Sequence, residues 1–232
     1  MSLPPPRPRQ NLPKPYYQDE WVTIYHGDNK NLIPSLGKFD LLLTDPPYII
    51  AVGGGGLSKK RQDFKKISGK IDEGFDMSLL ERFENWICFC GKQQLRGLID
   101  TADDSDGSWM LITFFKKSVS PMVKNTYLPD VEFAVHKWSS GRLFGECRDK
   151  SRIAHFPNER GEFSHPTVKP LSIISKLIKL GSKEGDSVFD PFMGTGSTLV
   201  ACKALKRKCI GIEKELQWCE VAKQRVQQEI LL

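Results

Sequence analysis

The chain has 232 residues, 39% of them apolar, enough to bury one substantial core in one large domain or two small ones. No run approaches the ~18 apolar residues that a membrane-spanning helix needs, and the N-terminal stretch lacks a secretory apolar centre, so the expected setting is the cytoplasm, without a membrane partner. The net charge of +6 is uneven: residues 58–70 hold six basic residues against one acid, a run suited to phosphate contact if it lies beside a site.

Residues 1–20, Pro-rich and carrying Arg7, Arg9 and Lys14, read as a flexible basic arm, and residues 21–232 as a single domain. Val22 to His26 predicts a short strand closed by Gly27-Asp28, followed by a helical turn ending near Leu36-Gly37. A second strand, Phe39 to Thr44, stops at Asp45-Pro46-Pro47-Tyr48; two prolines cannot continue a strand ladder. Residues 49–76, with Gly53 to Gly56 leading into the basic run, read as a mobile loop, and loops of that length are commonly functional.

Leu79, Leu80, Phe83, Trp86 and Ile87 recur at helical spacing and predict a helix from Met77 to about Asp100. Trp109 to Phe115 and Val131 to Lys137 predict strands, and the polar segment 138–164 a loop with several arginines. Pro170 opens a helix that ends at Gly181. Ser187 to Asp190 is a strand, Pro191 to Thr198 a Gly-rich turn into a helix, Cys209 to Glu213 the next strand, and Leu216 to Leu232 an amphipathic helix. Strands alternating with helices imply a mostly parallel sheet covered on both faces. The six cysteines are scattered with no pair of C-x-x-C motifs, so no metal site is expected, and reduced thiols fit best.

A strand, a Gly-rich turn, a helix and a second strand ending in an acid make a nucleoside-binding unit. Glycine permits the sharp turn and close approach of a ligand to the backbone. An acid ending the second strand suits ribose hydroxyls, and Glu213 lies 17 residues after Gly196, near the usual spacing of about 20. The turn is neither G-x-G-x-x-G nor a P-loop.

Asp190-Pro191-Phe192-Met193-Gly194-Thr195-Gly196-Ser197-Thr198 resembles the S-adenosylmethionine-binding motif of DNA amino-methyltransferases. Asp45-Pro46-Pro47-Tyr48 resembles their catalytic motif, and His165-Pro166-Thr167-Val168-Lys169-Pro170 a third motif that precedes the cofactor turn. The catalytic motif comes first, the permuted order of the family's beta group. The resemblance implies a Rossmann-like, doubly wound, mostly parallel seven-stranded sheet with helices on both faces, in circularly permuted methyltransferase order. It assigns Asp190, Pro191, Phe192, Gly194, Thr195 and Gly196 to the cofactor, Glu213 to its ribose, Asp28 to its adenine amino group, and Thr167 and Lys169 to its methionine end.

The implied activity is methyl transfer from S-adenosylmethionine to an exocyclic amine in double-stranded DNA. Such an amine is a poor nucleophile because its lone pair is delocalised into the base ring. Acceptors on its two hydrogens, the Asp45 carboxylate and the Pro46 carbonyl, draw electron density back to nitrogen, and Pro47 stiffens that turn. Tyr48 supplies a stacking face for a base taken out of the duplex. Lys59, Lys60, Arg61, Lys65 and Lys66 in the basic loop, with Arg142, Arg148 and Arg152 in a short target-recognition segment, are candidate DNA contacts. A homodimer would enlarge the footprint on DNA. Methylation at cytosine carbon is excluded by resemblance, since that route belongs to a different family with a Pro-Cys nucleophile and none of the six cysteines here follows a proline. Asp45, where the family's cytosine enzymes usually carry Ser, favours adenine N6 over cytosine N4. The readings left beside it are the cytosine-N4 enzyme, an RNA substrate, and a catalytically silent nucleic-acid-binding subunit of the same fold.

Overall fold

Leu41-Leu42-Leu43-Thr44 is buried along its whole length, because helices cover both faces of the sheet it runs through. The computed structural model describes residues 12–48, 74–116, 127–128, 130–156 and 168–228. Among the described residues the strands are β1 (Tyr17–Gln18), β2 (Val22–His26), β3 (Leu41–Thr44), β4 (Trp86–Cys90), β5 (Ser108–Lys116), β6 (Val131–Trp138), β7 (Ile153–Phe156), β8 (Ser187–Asp190) and β9 (Lys208–Glu213). The helices are α1 (Asn29–Leu32), α2 (Lys92–Asp103), α3 (Leu171–Gly181), α4 (Ser197–Ala204) and α5 (Leu216–Gln227).

One sheet contains all nine strands in the order β1-β2-β9-β8-β3-β4-β6-β5-β7. Strands β2, β9, β8, β3 and β4 are mutually parallel; β6 runs antiparallel to both β4 and β5. The expected seven-stranded core is therefore β2 to β5 in that spatial order. A two-residue antiparallel β1 and a four-residue β7, parallel to β5, extend its edges.

Alternation along each strand divides the apolar residues between two faces. Leu41, Leu43, Ile87, Phe89 and Val188 meet α3, α4 and α5, while Leu42, Trp86, Cys88, Phe189 and Ile212 lie on the opposite face with Leu98 and Ala102 of α2. Each fully buried Leu, Ile or Phe contributes about 1.5–3 kcal/mol relative to exposure, so this double layer is the main source of stability.

Three expectations change. The helix expected from Met77 to Asp100 is a short 3-10 segment (Met77–Arg82), then β4, then α2. Trp86 to Cys90 is buried on both faces, so it shows no period of two, and the apolar residues before it mimic a helical repeat. Segment 138–164, expected as loop, contains edge strand β7, whose exposed Ile153 and polar flanks hide it in the sequence. The flexible arm expected over residues 1–20 ends earlier: Tyr17–Gln18 pair with β2, and Asp19 accepts from the backbone N–H groups of Trp21 and Val22 and from Lys203 Nζ. Residues 1–11, most of the 49–76 loop and residues 229–232 lie outside the described residues. No described helix is long and apolar enough to cross a membrane.

Candidate active site

The five parallel strands end at one edge of the sheet, and acids stand at four of those ends. Asp28 follows β2, Asp45 follows β3, and Asp190 and Glu213 close β8 and β9. The sheet's connections diverge between β8 and β3, since β8 leads through α4 to β9 on one side while β3 neighbours β4 on the other. Such a switch point leaves a crevice at the carboxyl ends of the strands. A cavity occupies it, lined by Thr44, Asp45, Phe89, Lys169, Asp190, Phe192, Gly194 and Thr195, among others. The two sequence motifs, 145 positions apart at their acids, thus share one wall.

The Gly-rich turn is held from below. Gly194 and Gly196 have φ of +51° and +78°, a left-handed backbone that glycine adopts without strain. A Cβ on Gly196 would come within 2.8 Å of the Ala222 Cβ, so this glycine allows α5 to pack against the turn. A Cβ on Gly194 would meet nothing within 4 Å, so space over that part of the turn is open. The buried Arg225 of α5 donates from Nη1 to the Thr195 carbonyl (2.7 Å), to Thr195 Oγ1 (2.9 Å) and to Ser197 Oγ (3.2 Å).

Asp190 is buried at the foot of the turn. Its Oδ1 accepts from Thr44 Oγ1 (3.0 Å) and from the Phe192 N–H (3.1 Å). Burial pushes its carboxyl up to about 6 in spite of those donors. Glu213 receives the Gly194 N–H on Oε2 (3.1 Å) and the Glu215 N–H on Oε1 (2.8 Å); burial raises its pKa against them. Asp28 caps α1 by accepting from the Lys30 N–H, and Asn29 Nδ2 donates to the Pro191 carbonyl (3.1 Å), which sets the start of α1 beside the turn. Asp28 and Glu213 stand at this edge but do not line the cavity.

Around Asp45 the described groups form a charged cluster. Tyr48 Oη donates to Asp45 Oδ1 (2.7 Å), and Lys169 Nζ donates to Asp45 Oδ2 (2.5 Å) and lies 3.3 Å from Tyr48 Oη. Lys169 Nζ also lies 3.4 Å from Glu132 Oε2, and Lys116 Nζ is 2.5 Å from Glu132 Oε1. Burial, with Asp45 and Glu132 nearby, raises the Tyr48 pKa far above the ordinary phenol range, so its hydroxyl stays a donor. Burial disfavours charge on Lys169, but the Asp45 and Glu132 carboxylates outweigh it and its pKa is raised. Burial likewise works against charge on Glu132, yet the Lys169 and Lys116 ammoniums hold its carboxyl below the usual range. Gln94 fastens the motif from behind: its Nε2 donates to the Pro47 carbonyl (2.9 Å) and its Oε1 accepts from the Gly91 N–H (3.3 Å).

The structure thus brings Asp45, Lys169, Asp190, Phe192, Gly194 and Thr195 to one cavity, with Tyr48 bonded to its wall. Lys169, expected at the methionine end of the cofactor, is bonded to Asp45. Thr167 and all five basic-loop candidates, Lys59, Lys60, Arg61, Lys65 and Lys66, lie outside the described residues. Arg142, a candidate DNA contact, pairs with Asp40 (2.7 Å) and Asp186 (3.7 Å), which precede β3 and β8 at the opposite edge of the sheet. Arg148 is exposed and paired with Glu146, and the exposed Arg152 donates to Met110 Sδ. Sequence reasoning missed Glu132, Lys116, Gln94 and Arg225. Of these, Glu132 carries a discernible signal, an acid set within the apolar residues Val131, Phe133, Ala134 and Val135.

A Gly-rich turn and an Asp-Pro-Pro-Tyr motif that line one cavity at the switch point of such a sheet define the Rossmann-like methyltransferase class. Residues 137–224 match the family model described as DNA methylase, of N6/N4 type. The type II methyltransferase M2.LlaDCHI of Lactococcus lactis subsp. cremoris is 27% identical over 250 residues, spanning 93% of each chain. The crystal structure of an M1.HpyAVI–SAM complex is 25% identical with a TM-score of 0.63, covering 88% of this chain and 99% of that one. The PvuII cytosine-N4-specific DNA methyltransferase has the same fold, with a TM-score of 0.68 at 15% identity over 94% of this chain and 91% of that one. The chain is thus similar to N6/N4 DNA methylases, through its motifs, through the family match over residues 137–224 and through relatives that span nearly its whole length.

Proposed function

We propose that the chain transfers a methyl group from S-adenosylmethionine to the N6 amino group of adenine in double-stranded DNA, acting on a base rotated out of the duplex. The observation that carries this reading is the shared cavity, which Asp45 and the turn at Gly194-Thr195 both line. The residues fit the cofactor. Open space above Gly194 lets a ligand lie against the backbone, Glu213 offers a carboxylate to ribose hydroxyls, and Asp28 stands at the next strand end for the adenine amino group. Asp190 holds the turn through Phe192 and keeps a buried acceptor beneath it.

When bound, S-adenosylmethionine would supply a sulfonium methyl open to attack by a nitrogen lone pair, the S–C bond pair leaving on sulfur as a neutral thioether. The chain's own part is positioning. Asp45 and the Pro46 carbonyl take the two amine N–H groups, aim the lone pair and return electron density to nitrogen. Asp45 then takes up the proton that the nitrogen loses. Tyr48 stacks on the base, an interaction worth about 1–3 kcal/mol. Gln94 and Pro47 keep the motif from relaxing. Asp45 rather than Ser supports adenine over cytosine.

The test is to incubate the protein with radiolabelled cofactor and unmethylated duplex DNA, digest, and identify the modified nucleoside. Label in N6-methyladenine is expected. Label in N4-methylcytosine would overturn the choice of base and keep the reaction class. Label in no nucleoside would overturn the enzyme reading in favour of a silent DNA-binding subunit.

A further inference from the structure

Asp45 has a difficulty that the motif alone does not reveal. As an acceptor for a weakly basic amine it should be rich in electron density, yet both of its oxygens are already engaged, Oδ1 by the Tyr48 hydroxyl and Oδ2 by the Lys169 ammonium. Each donor draws density from the carboxylate. The ammonium also occupies room that an incoming amine needs, 4.9 Å from the Phe89 ring centroid and 5.4 Å from that of Tyr48. Removing Lys169 from Asp45 with nowhere to go would strand a buried charge, which is costly.

Glu132 offers the alternative. It projects from β6, outside every motif, and its Oε1 is fixed by Lys116. Its Oε2 is buried, 3.4 Å from Lys169 Nζ, and receives no well-formed hydrogen bond from any described group. A buried carboxylate oxygen left so is unusual in a folded protein. Lying 3.4 Å from an ammonium that Asp45 holds at 2.5 Å, it is a second seat within reach.

Resting on the reading of Asp45 as the acceptor for the target amine, we propose that Glu132 is a positioning residue that receives the Lys169 ammonium when a base enters, freeing Asp45 Oδ2 without leaving either charge unpaired. Lys169 then has two states, on Asp45 in the free protein and on Glu132 in the DNA complex. Glu132 never touches the substrate; it acts through Lys169.

The experiment compares Glu132→Gln, Lys169→Met and the double variant, measuring KM for unmethylated PCR-amplified duplex DNA, kcat, and cofactor dissociation by calorimetry. Glu132→Gln removes the charge of the second seat and should raise the DNA KM about tenfold, the scale of one charge-assisted hydrogen bond, with kcat and cofactor affinity changed far less. In the Lys169→Met background the same substitution should add no further rise, because nothing remains to be received. Glu132→Asp, which keeps the charge, should recover part of the wild-type KM and serves as the well-folded comparison if Glu132→Gln is unstable. An unchanged DNA KM in Glu132→Gln, an additive effect in the double variant, or an equal loss of cofactor affinity would overturn the inference while leaving the proposed reaction intact. Absence of transfer by the unmodified protein would instead overturn the reaction itself.

Discussion

The two edges of the sheet carry similar residues put to opposite use. At the amino ends of β3 and β8, Asp40 is saturated: Oδ2 accepts from the Ser187 N–H (2.9 Å) and hydroxyl (2.7 Å), and Oδ1 from Arg142 (2.7 Å). Asn85 closes the same corner, donating to the Asp40 carbonyl and accepting from the Ser139 N–H. At the carboxyl ends, Asp190 is buried with its pKa raised, Glu213 is raised too, and Asp45 is shared between a phenol and an ammonium that has a second carboxylate beside it. One edge commits its polar groups to the fold, and the other gathers acids whose burial or shared donors suit the proposed ligand role. An acid is informative about function here when its in-chain partners are incomplete or exchangeable.

The sharpest way to break this contrast is Asp45→Ala. If the open edge does the chemistry, transfer falls about 10³-fold in kcat while the cofactor dissociation constant, measured by calorimetry, stays near wild type. Equal loss of both would make Asp45 a structural acid like Asp40.

Asp190→Asn comes next and tests whether the open edge costs stability. A carboxyl with its folded pKa raised to about 6 contributes stability that is present below its unfolded value of 3.8 and lost as pH rises through 6. The Asn variant has no such loss. Its stability advantage in urea melts should therefore grow between pH 4 and 7, to at most about 3 kcal/mol, while its cofactor affinity falls. A constant difference across that range would contradict the raised pKa.

Asp40→Ala probes the closed edge, with the opposite expected pattern. Loss of its hydrogen bonds should lower unfolding free energy by about 1–3 kcal/mol, and the folded fraction should keep wild-type kcat and both KM values. The smallest effect is expected from Arg142→Gln. Because Arg142 belongs to the closed edge, the slope of log affinity for duplex DNA against log salt should not change, whereas removing a phosphate contact reduces it by about one. A slope reduced by that much would return Arg142 to the DNA-facing surface.

Much of this was legible in the sequence where local chemistry and position coincide. Asp190 to Thr198 and Asp45 to Tyr48 announce themselves because strand ends, prolines and positive-φ glycines are set by short-range rules. The elements of the C-terminal third were read in order and type, since its strands are bounded by turn residues and α3 has a clear apolar face, although α5 ends at Gln227, short of the expected Leu232. The middle was not, because β4 is apolar on both faces and β7 lies on a polar edge, so neither carries the alternation that betrays a strand. Glu132, Gln94 and Arg225 were invisible for a different reason. Each matters through a partner 30 to 47 positions away, Lys169, Pro47 and Thr195 respectively, and such pairings exist only once the sheet has assembled them.

The strand order also bears on how the protein is made. Strands β2 and β3, near the start of the chain, are held apart by β9 and β8, from near its end; Ile24 faces Gly211 and Leu41 faces Val188. A ribosome therefore delivers the Asp-Pro-Pro-Tyr strand long before the strand that completes its flank. Until residue 213 has left the exit tunnel, β2 and one side of β3 remain open edges that other chains could join. The parallel core of the sheet can therefore close only once β8 and β9 have emerged, which leaves those edges unpaired for most of synthesis.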